Sequence, residues 1–178
     1  MVLHIKWPSI QRLSNETCYI TEKIDGTNGV IHVADDQRVT AGSRNGWITP
    51  DADNFGFAAW VRDHAPQLSQ LGPGFHYGEW YGVGIQRGYG LTDRRFASFE
   101  WWRNDLPSCM GKVPLLAMRQ ADTVKYDEYI ADLCANGSKL VPGFMDPEGI
   151  VIQFKNEREA KFKKFCRNDL IAKKQQVA

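Results

Sequence analysis

The sequence predicts an α+β fold in which largely antiparallel β-sheets are flanked by helices, all within a single domain. Strand-like segments outnumber helix-like ones and do not alternate regularly with them, which disfavours a doubly wound parallel sheet. The 178 residues are 43% apolar and 24% charged, a composition typical of a globular domain with a sizeable core. No repeat, low-complexity stretch or Pro/Ser-rich linker divides the chain.

The first elements predicted are short strands. Residues 18–24 and 29–34 are rich in Ile, Val, Thr and Tyr and are separated by a glycine-containing turn, so they predict a β-hairpin-like pair. Residues 38–41 are predicted to add a third strand.

A first helix follows, because apolar residues recur at helical spacing. Asp53 is placed to cap its start, and Pro66 is expected to end it. The periodic residues are Phe57, Trp60, Val61 and His64.

The rest of the chain is predicted to contain two further helices and four further strands. A second helix is expected around residues 126–134, ended by Asn136 and Gly137. A short terminal helix is expected at residues 169–175. The strands expected here are residues 75–81, 96–102, 149–154 and 161–165.

Composition excludes several classes of protein. No apolar run approaches the ~20 residues of a membrane span, and no secretory signal is visible, so a cytoplasmic protein is expected. The four cysteines form no CxxC pair, which disfavours a zinc site or a disulfide scaffold. Residues 155–174 hold eight basic side chains against three acidic ones, and this segment is either a solvated helical face or a phosphate-facing surface.

Lys23 is the first residue whose position suggests chemistry. It ends a predicted strand and precedes a glycine turn, so its amine can project into a cleft. An ordinary lysine is almost wholly protonated near neutral pH and cannot attack an electrophile. Burial and neighbouring cations, such as Lys161 and Lys163, would free the amine, whereas Asp25 on the same side would oppose this unless it turns away or bonds locally.

Lys23 also begins an ordered series of motifs that resembles the covalent nucleotidyltransferase superfamily, which includes ATP-dependent polynucleotide ligases and messenger-RNA capping enzymes. The series spans residues 21–163, and the lead-in at residues 7–13 is similar to that of RNA ligases. The motifs are Lys23-Ile-Asp-Gly-Thr-Asn28 (KxDGxN), Ser43-Arg44-Asn45-Gly46, Tyr77-Gly-Glu-Trp-Tyr-Gly82, Phe96-Ala-Ser-Phe-Glu-Trp-Trp102, Glu148-Gly-Ile-Val151 (EGxV) and Lys161-Phe-Lys163 (KxK).

Asn28 indicates which members of the superfamily the chain resembles most. The KxDGxN motif is similar to that of RNA ligases of the RNA-repair type, whereas the corresponding motif of DNA ligases and capping enzymes resembles KxDGxR. The resemblance implies a nucleotidyltransferase (ATP-grasp-like ligase adenylation) fold and ATP-dependent joining of RNA 5′-phosphate and 3′-hydroxyl ends. It implies three steps: AMP is bonded to Lys23, AMP passes to the 5′-phosphate, and a 3′-hydroxyl displaces AMP. The alternatives are a DNA ligase, a 5′-end adenylating enzyme and a non-catalytic nucleic-acid end-binding module.

The resemblance also implies roles for the basic residues. Lys161 and Lys163 are two apart on a predicted strand, so both can reach phosphates from one side, although a solvated strand edge would show the same spacing. Arg44 can fork onto phosphate or ribose oxygens, or form a loop salt bridge. Asn28 is a candidate for phosphate or 5′-end contacts, or simply a turn residue.

Two glutamates and one aromatic residue complete the predicted site. By resemblance Glu79 reads the ribose and, with Glu148, holds Mg²⁺, for which Mn²⁺ is an alternative; both could instead be surface glutamates. Phe99 is expected to stack on adenine, although core packing and the neighbouring Phe96, Trp101 and Trp102 compete for that role. Glu22 would lie beside adenine by resemblance, yet strand alternation sends its side chain away from the face of Lys23.

The chain departs from the family after its last motif. Only 15 residues follow Lys163, so residues 1–178 are expected to form one RNA ligase nucleotidyltransferase domain without an OB-fold or further C-terminal domain. The basic segment 155–174, with Arg94 and Arg95, is expected to supply the missing substrate contacts. A monomer acting on RNA strands, and conceivably DNA, is expected.

Overall fold

The computed structural model of the chain describes residues 16–155 and 160–166. They form two β-sheets and three α-helices, which confirms the expected α+β class. The strands are β1 Thr17–Lys23, β2 Thr27–Val33, β3 Val39–Ser43, β4 Gly46–Ile48, β5 Gly74–Gly82, β6 Arg94–Ser98, β7 Gly111–Lys112, β8 Leu115–Gln120, β9 Gly149–Lys155 and β10 Ala160–Cys166. The helices are α1 Phe57–Asp63, α2 Ala65–Leu68 and α3 Tyr126–Asn136.

One sheet has four strands in the order β10-β9-β1-β8, and the other has six in the order β4-β3-β2-β5-β6-β7. Within the described residues every named strand pairing is antiparallel except that of β6 with β7. Because β9 lies between β10 and β1, the strand that carries the KxK motif is separated from the strand that ends at Lys23 by one strand only.

The expected hairpin of residues 18–24 and 29–34 is wrong. β1 belongs to the four-stranded sheet and β2 to the six-stranded sheet, so the two strands do not pair. Gly26 serves a close approach between the sheets, because a Cβ at this position would collide with the carbonyl oxygen of Trp80. The third strand expected after them is correct, and β3 pairs with β2.

Helix α1 covers one face of the six-stranded sheet through the buried side chains of Phe57 and Val61. Asp53 acts at its start as predicted, since its carboxylate accepts the N–H groups of Ala58 at 2.7 Å and Ala59 at 3.0 Å. The helix ends before Pro66, which lies in the first turn of α2.

Helix α3 covers the four-stranded sheet, as its sequence periodicity predicted. Ile130 and Leu133 are buried against Ile20, Ile150 and Ile152 of β1 and β9. The helix ends at Gly137, whose φ of 76° favours glycine. This face of the sheet is therefore a closed apolar core.

The structure differs from the sequence predictions at two strands, and one predicted helix lies outside the described residues. The strand expected at residues 96–102 ends at Ser98, and the chain turns through Phe99 and Trp102. Strand β8 was not predicted, because its sequence, Leu-Leu-Ala-Met-Arg-Gln, lacks clear alternation. The helix expected at residues 169–175 lies outside the described residues. Among those described, no helix has the length and apolarity needed to cross a membrane.

Candidate active site

A cleft with a volume of about 650 Å³ lies where the two sheets meet. Both sheets contribute to its walls, and its size is that of a small-molecule site. Its charged and aromatic lining residues include Lys23 from β1, Tyr77 and Glu79 from β5, and Phe99, Trp101 and Trp102 from the turn after β6. Val151 and Gln153 of β9 also line the cleft.

Lys23 ends β1, and only 18% of its side chain is exposed. Its Nζ donates a hydrogen bond to Oε2 of Glu148 and forms an ion pair with that residue. The register explains the contact, because Lys23 pairs with Gly149, the residue directly after Glu148. The first and fifth motifs of the sequence are therefore brought together at the edge of the cleft.

The carboxylate of Asp25 forms an ion pair with Arg87, a long-range partner, instead of the local hydrogen bond that the sequence suggested. Arg87 donates from Nε to Oδ2 of Asp25 at 2.8 Å and from Nη1 to Oδ2 of Asp146 at 2.7 Å. The N–H of Asp25 donates to the hydroxyl of Tyr89 at 2.8 Å. Sequence reasoning did not single out Arg87, because no local pattern relates it to residues about sixty positions away.

Asn28 and Arg44 form a hydrogen-bonded chain that ends at Glu79. Asn28 pairs with Glu79 across β2 and β5, and its Nδ2 donates to Oε2 of Glu79 at 3.2 Å. Arg44 donates to Oδ1 of Asn28 from Nε at 3.0 Å and from Nη2 at 2.6 Å. Three predicted site residues are thus linked, and the guanidinium of Arg44 faces the cleft.

The pKa of Glu79 is raised to about 7, chiefly because the carboxyl is buried. The nearby charge of Lys23 and the N–H of Gly26 act in the opposite direction, and the charge of Glu148 adds to the rise. Near neutral pH this carboxyl is therefore close to half ionised, and a cation or a hydroxyl donor in the cleft would decide its state.

Glu22 is among the residues that line the cleft, but its carboxylate turns to the segment after α3, consistent with the strand alternation that separates it from Lys23. It is 1% exposed, and its carboxylate accepts the hydroxyl of Ser138 at 2.6 Å and the N–H groups of Lys139 at 2.7 Å and Leu140 at 3.1 Å. Burial raises its pKa. The carboxylate anchors the segment after α3, and the place beside adenine that the resemblance implies for Glu22 stays a prediction.

The aromatic candidates are now separated by burial. Phe96 is fully buried in the core beneath α1, so it is not available for stacking on a ligand. Phe99 is 39% exposed and lines the cleft. Trp101 also lines it, and its Nε1 donates to Oε1 of Gln153 at 3.3 Å.

Lys161 and Lys163 lie on β10, whose backbone pairs with β9. Their Cα atoms are opposite Phe154 and Ile152, respectively, and Lys164 is opposite Val151. The side chains of these lysines lie outside the described part of the structure.

The carboxylates of the cleft fit a hydrated divalent cation. Glu79 and Glu148 are both buried, and the charge of Glu148 acts on Glu79 through space. Mg²⁺ is commonly held by one or two carboxylates, with phosphate and water completing its shell. Among the described residues no group of three or more His, Cys, Asp or Glu side chains could hold a metal alone, so phosphate oxygens would have to contribute.

Fold and site together define a nucleotide-sized cleft with a buried lysine–glutamate pair between two antiparallel sheets. The family model described as RNA ligase matches residues 16–174. The chain therefore belongs to the RNA ligase family, which confirms the family expected from the motif series. No curated protein sequence matches the chain.

Solved structures of RNA ligase from Naegleria gruberi share the fold. A mutant with ATP and Mn matches with a TM-score of 0.65 at 19% identity, over 92% of this chain and 52% of that one. The form with PPi gives 0.64 at 18% identity, over 92% and 53%. Another mutant, with AMP and Mn, gives 0.61 at 18%, over 90% and 52%. The chain thus spans about half the length of these ligases.

Proposed function

We propose that the chain is an ATP-dependent RNA ligase that joins 5′-phosphate and 3′-hydroxyl ends through AMP bonded to Lys23. The observation that carries the proposal is the contact of Lys23 with Glu148 at a cleft that also holds the Arg44–Asn28–Glu79 chain. The cleft is large enough for a nucleotide. The Naegleria ligase with the same fold was solved with ATP, AMP and Mn, which supports a nucleotide and a divalent cation here.

In the first step the Nζ of Lys23 attacks the α-phosphorus of ATP. A phosphorus–nitrogen bond forms, the bond from that phosphorus to the bridging oxygen breaks, and pyrophosphate leaves with the electron pair. Arg44, Lys161 and Lys163 offset the phosphate charge, Glu79 contacts the ribose, and Phe99 stacks on adenine. Asn28 positions Arg44 through the two hydrogen bonds that it accepts.

The ion pair of Lys23 with Glu148 has to open before this attack, since an ammonium has no free electron pair. The carboxylate of Glu148 is in contact with Nζ, so it is placed to accept a proton from Nζ and to pass that proton on to water. A divalent cation held by Glu79, Glu148 and the phosphates would neutralise phosphate charge and draw Glu148 away from the lysine.

In the second step the 5′-phosphate of an RNA strand attacks the phosphorus of the bound AMP, and the bond to Lys23 breaks. In the third step a 3′-hydroxyl attacks the activated 5′-phosphate and AMP leaves. We further propose that one chain acts alone in the cytoplasm, the compartment in which free cysteines such as Cys18 remain reduced.

Covalent labelling tests the proposal. The protein is incubated with Mg²⁺ and ATP radiolabelled at the α-phosphate, then denatured and examined for bound label. We expect label on the wild type, none on Lys23→Ala, and full labelling of Lys125→Ala, a matched control whose side chain is 77% exposed and does not line the cleft. An unlabelled wild type, or label that survives Lys23→Ala, would show the proposal to be wrong.

The substrate is tested separately with labelled enzyme. Strands with a 5′-phosphate are offered together with RNA or DNA 3′-hydroxyl acceptors, and sealed product is measured. We expect RNA acceptors to be sealed faster. Equal or faster sealing of DNA would contradict the RNA assignment and leave the lysine chemistry intact.

A further inference from the structure

Three aromatic side chains that the proposed chemistry does not use lie exposed on one face of the six-stranded sheet. Trp47 of β4 is 58% exposed, and Phe75 and Tyr77 of β5 are 51% and 52% exposed. We call these three residues the aromatic strip. They lie on the face opposite α1, since α1 packs on the side of Ile31 and Trp80. Large exposed aromatic groups that cluster mark an interaction surface.

The rings of the aromatic strip are close and nearly parallel. Phe75 and Tyr77 have ring centroids 6.3 Å apart and planes inclined by 16°, and Trp47 and Phe75 are 6.1 Å apart with planes inclined by 26°. His32 fills the space between them, 4.6 Å from Phe75 and 5.6 Å from Trp47. The strip therefore presents several aromatic faces in similar orientations.

The aromatic strip leads directly to the cleft. Phe75, Tyr77 and Glu79 alternate along β5 and so share one face of the sheet. A groove of about 540 Å³ runs over the strip, and it shares Arg44 and Phe99 with the cleft. Arg44 thus places a positive charge where the two cavities join.

The chemistry of this groove fits an unpaired polynucleotide. Bases stack on aromatic faces without regard to sequence, while the backbone phosphates seek a cation such as the guanidinium of Arg44. A duplex would not fit the strip in this way, because its bases are already stacked and paired. Gly42 lies under the ring of Trp47, where a Cβ atom would come within 3.3 Å of that ring, so the absence of a side chain keeps this part of the groove open.

We propose that the aromatic strip binds unpaired nucleotides of the RNA strand whose end lies in the cleft. The identity of the strand as ligation substrate rests on the proposed function, whereas stacking on the strip does not. Trp47 and Phe75 are therefore strand-binding residues that the motif series does not include.

The test separates strand binding from the chemistry of Lys23. A fluorescein-labelled ten-nucleotide oligoribonucleotide is titrated with wild type, Trp47→Ala, Phe75→Ala and the double variant, and fluorescence anisotropy is measured. We expect each single variant to bind about fivefold or more weakly and the double variant to bind more weakly still. Trp47→Phe should keep most of the affinity, because it keeps an aromatic face.

Covalent labelling with ATP serves as the second readout, since that step needs no RNA. We expect both single variants to be labelled within about twofold of the wild type, which also shows that they are folded. Met118→Ala is the matched control, because Met118 is equally exposed at 58% but lies on β8 of the other sheet; it should change neither measurement.

Wild-type affinity in the double variant would overturn the proposal, whatever the labelling shows. Equal loss of affinity for the single strand and for a fully paired duplex of the same sequence would also overturn it, because stacking on unpaired bases would then not be the cause. Absence of label on the wild type would refute the proposed function, while the anisotropy measurement would still decide the role of the strip.

Discussion

The two faces of the four-stranded sheet use buried carboxylates in opposite ways. On the face beneath α3, Glu22 accepts three hydrogen bonds from the segment after the helix and is sealed from solvent. On the cleft face, Glu148 contacts the ammonium of Lys23, and Glu79 across the cleft accepts from Asn28 and Gly26. Glu22 and Lys23 are adjacent in sequence, and strand alternation alone sends them to different faces.

The comparison distinguishes a structural carboxylate from one held for a ligand. Glu22 has its donors supplied by the protein, so its burial fixes one conformation. Glu79 is held at the border of ionisation, and the pair of Glu148 with Lys23 can exchange for other charges. A cleft in which Lys23 can exchange Glu148 for another anion can admit phosphates. A cleft in which every charge is as fully bonded by the protein as Glu22 would exclude them.

The largest loss of labelling is expected from substitutions on β10, whose lysines are divided between the two faces of the four-stranded sheet by their pairing with β9. The motif resemblance predicts that Lys161→Ala and Lys163→Ala each lower covalent labelling by about 100- to 1000-fold, because phosphate charge is then less well neutralised. Lys164→Ala should stay within about threefold. Initial rates of labelling at saturating ATP measure this.

The backbone register of β10 favours Lys164 over the two motif lysines for a place at the cleft, so the measurement decides between the register and the motif resemblance. Lys163 pairs with Ile152 of the core face, and Lys164 pairs with Val151, which lines the cleft. A large loss in Lys164→Ala with little loss in the other two variants would contradict the roles given by the KxK motif.

Glu22→Ala is expected to destabilise the fold by about 3 kcal/mol. The change removes the acceptor of the Lys139 N–H and of the hydroxyl of Ser138, a residue that is 3% exposed, and a buried donor left without its acceptor costs about 1–3 kcal/mol. Urea unfolding measures the effect, and Glu128→Ala, a carboxylate that is 68% exposed on α3, should change stability by less than about 0.5 kcal/mol. Unchanged stability together with lost labelling would instead place Glu22 in the chemistry.

Glu79→Gln should show a smaller effect on stability that depends on pH. Because the pKa of Glu79 is raised from 4.5 to about 7, the folded protein holds a proton that the unfolded chain loses at lower pH. Its contribution to stability is complete below about pH 4.5 and is lost as pH rises through about 7. The variant should therefore be more stable than the wild type by about 1–3 kcal/mol at pH 8, with the difference vanishing near pH 4.

Thermal or urea unfolding across this pH range measures the difference, with labelling by ATP as the second readout. Labelling should fall about tenfold or more, because the carboxylate is lost from the cleft. A pH-independent stability difference would contradict the raised pKa.

The sequence predicted the cleft better than the connections around it. Lys23, Glu148, Asn28 and Arg44 each lie at or next to a strand end, and Glu79 lies within β5 opposite Asn28, so short motifs carry most of the necessary information. The hairpin prediction failed because the approach of Gly26 to Trp80 depends on a strand fifty residues away.

Other features were beyond local reasoning for the same reason. Alternation indicated that Glu22 turns away, but it could not identify the donors near residue 139. Arg87 joins residues that are distant in sequence, and the unpredicted β8 is a strand only because β1 is beside it. Long-range pairing supplies what pattern and propensity do not.

Arg87 links segments of the two sheets through two ion pairs. Arg87 follows β5 of the six-stranded sheet. It forms ion pairs with Asp25, which follows β1, and with Asp146, which precedes β9, and both of these strands belong to the four-stranded sheet. Widening the gap between the sheets at this end would require both ionic grips to break. At this end the two sheets are therefore joined by charge as well as by the packing of Tyr89 on Phe144, so we expect dissolved salt to weaken the ionic part of the junction while the apolar part persists.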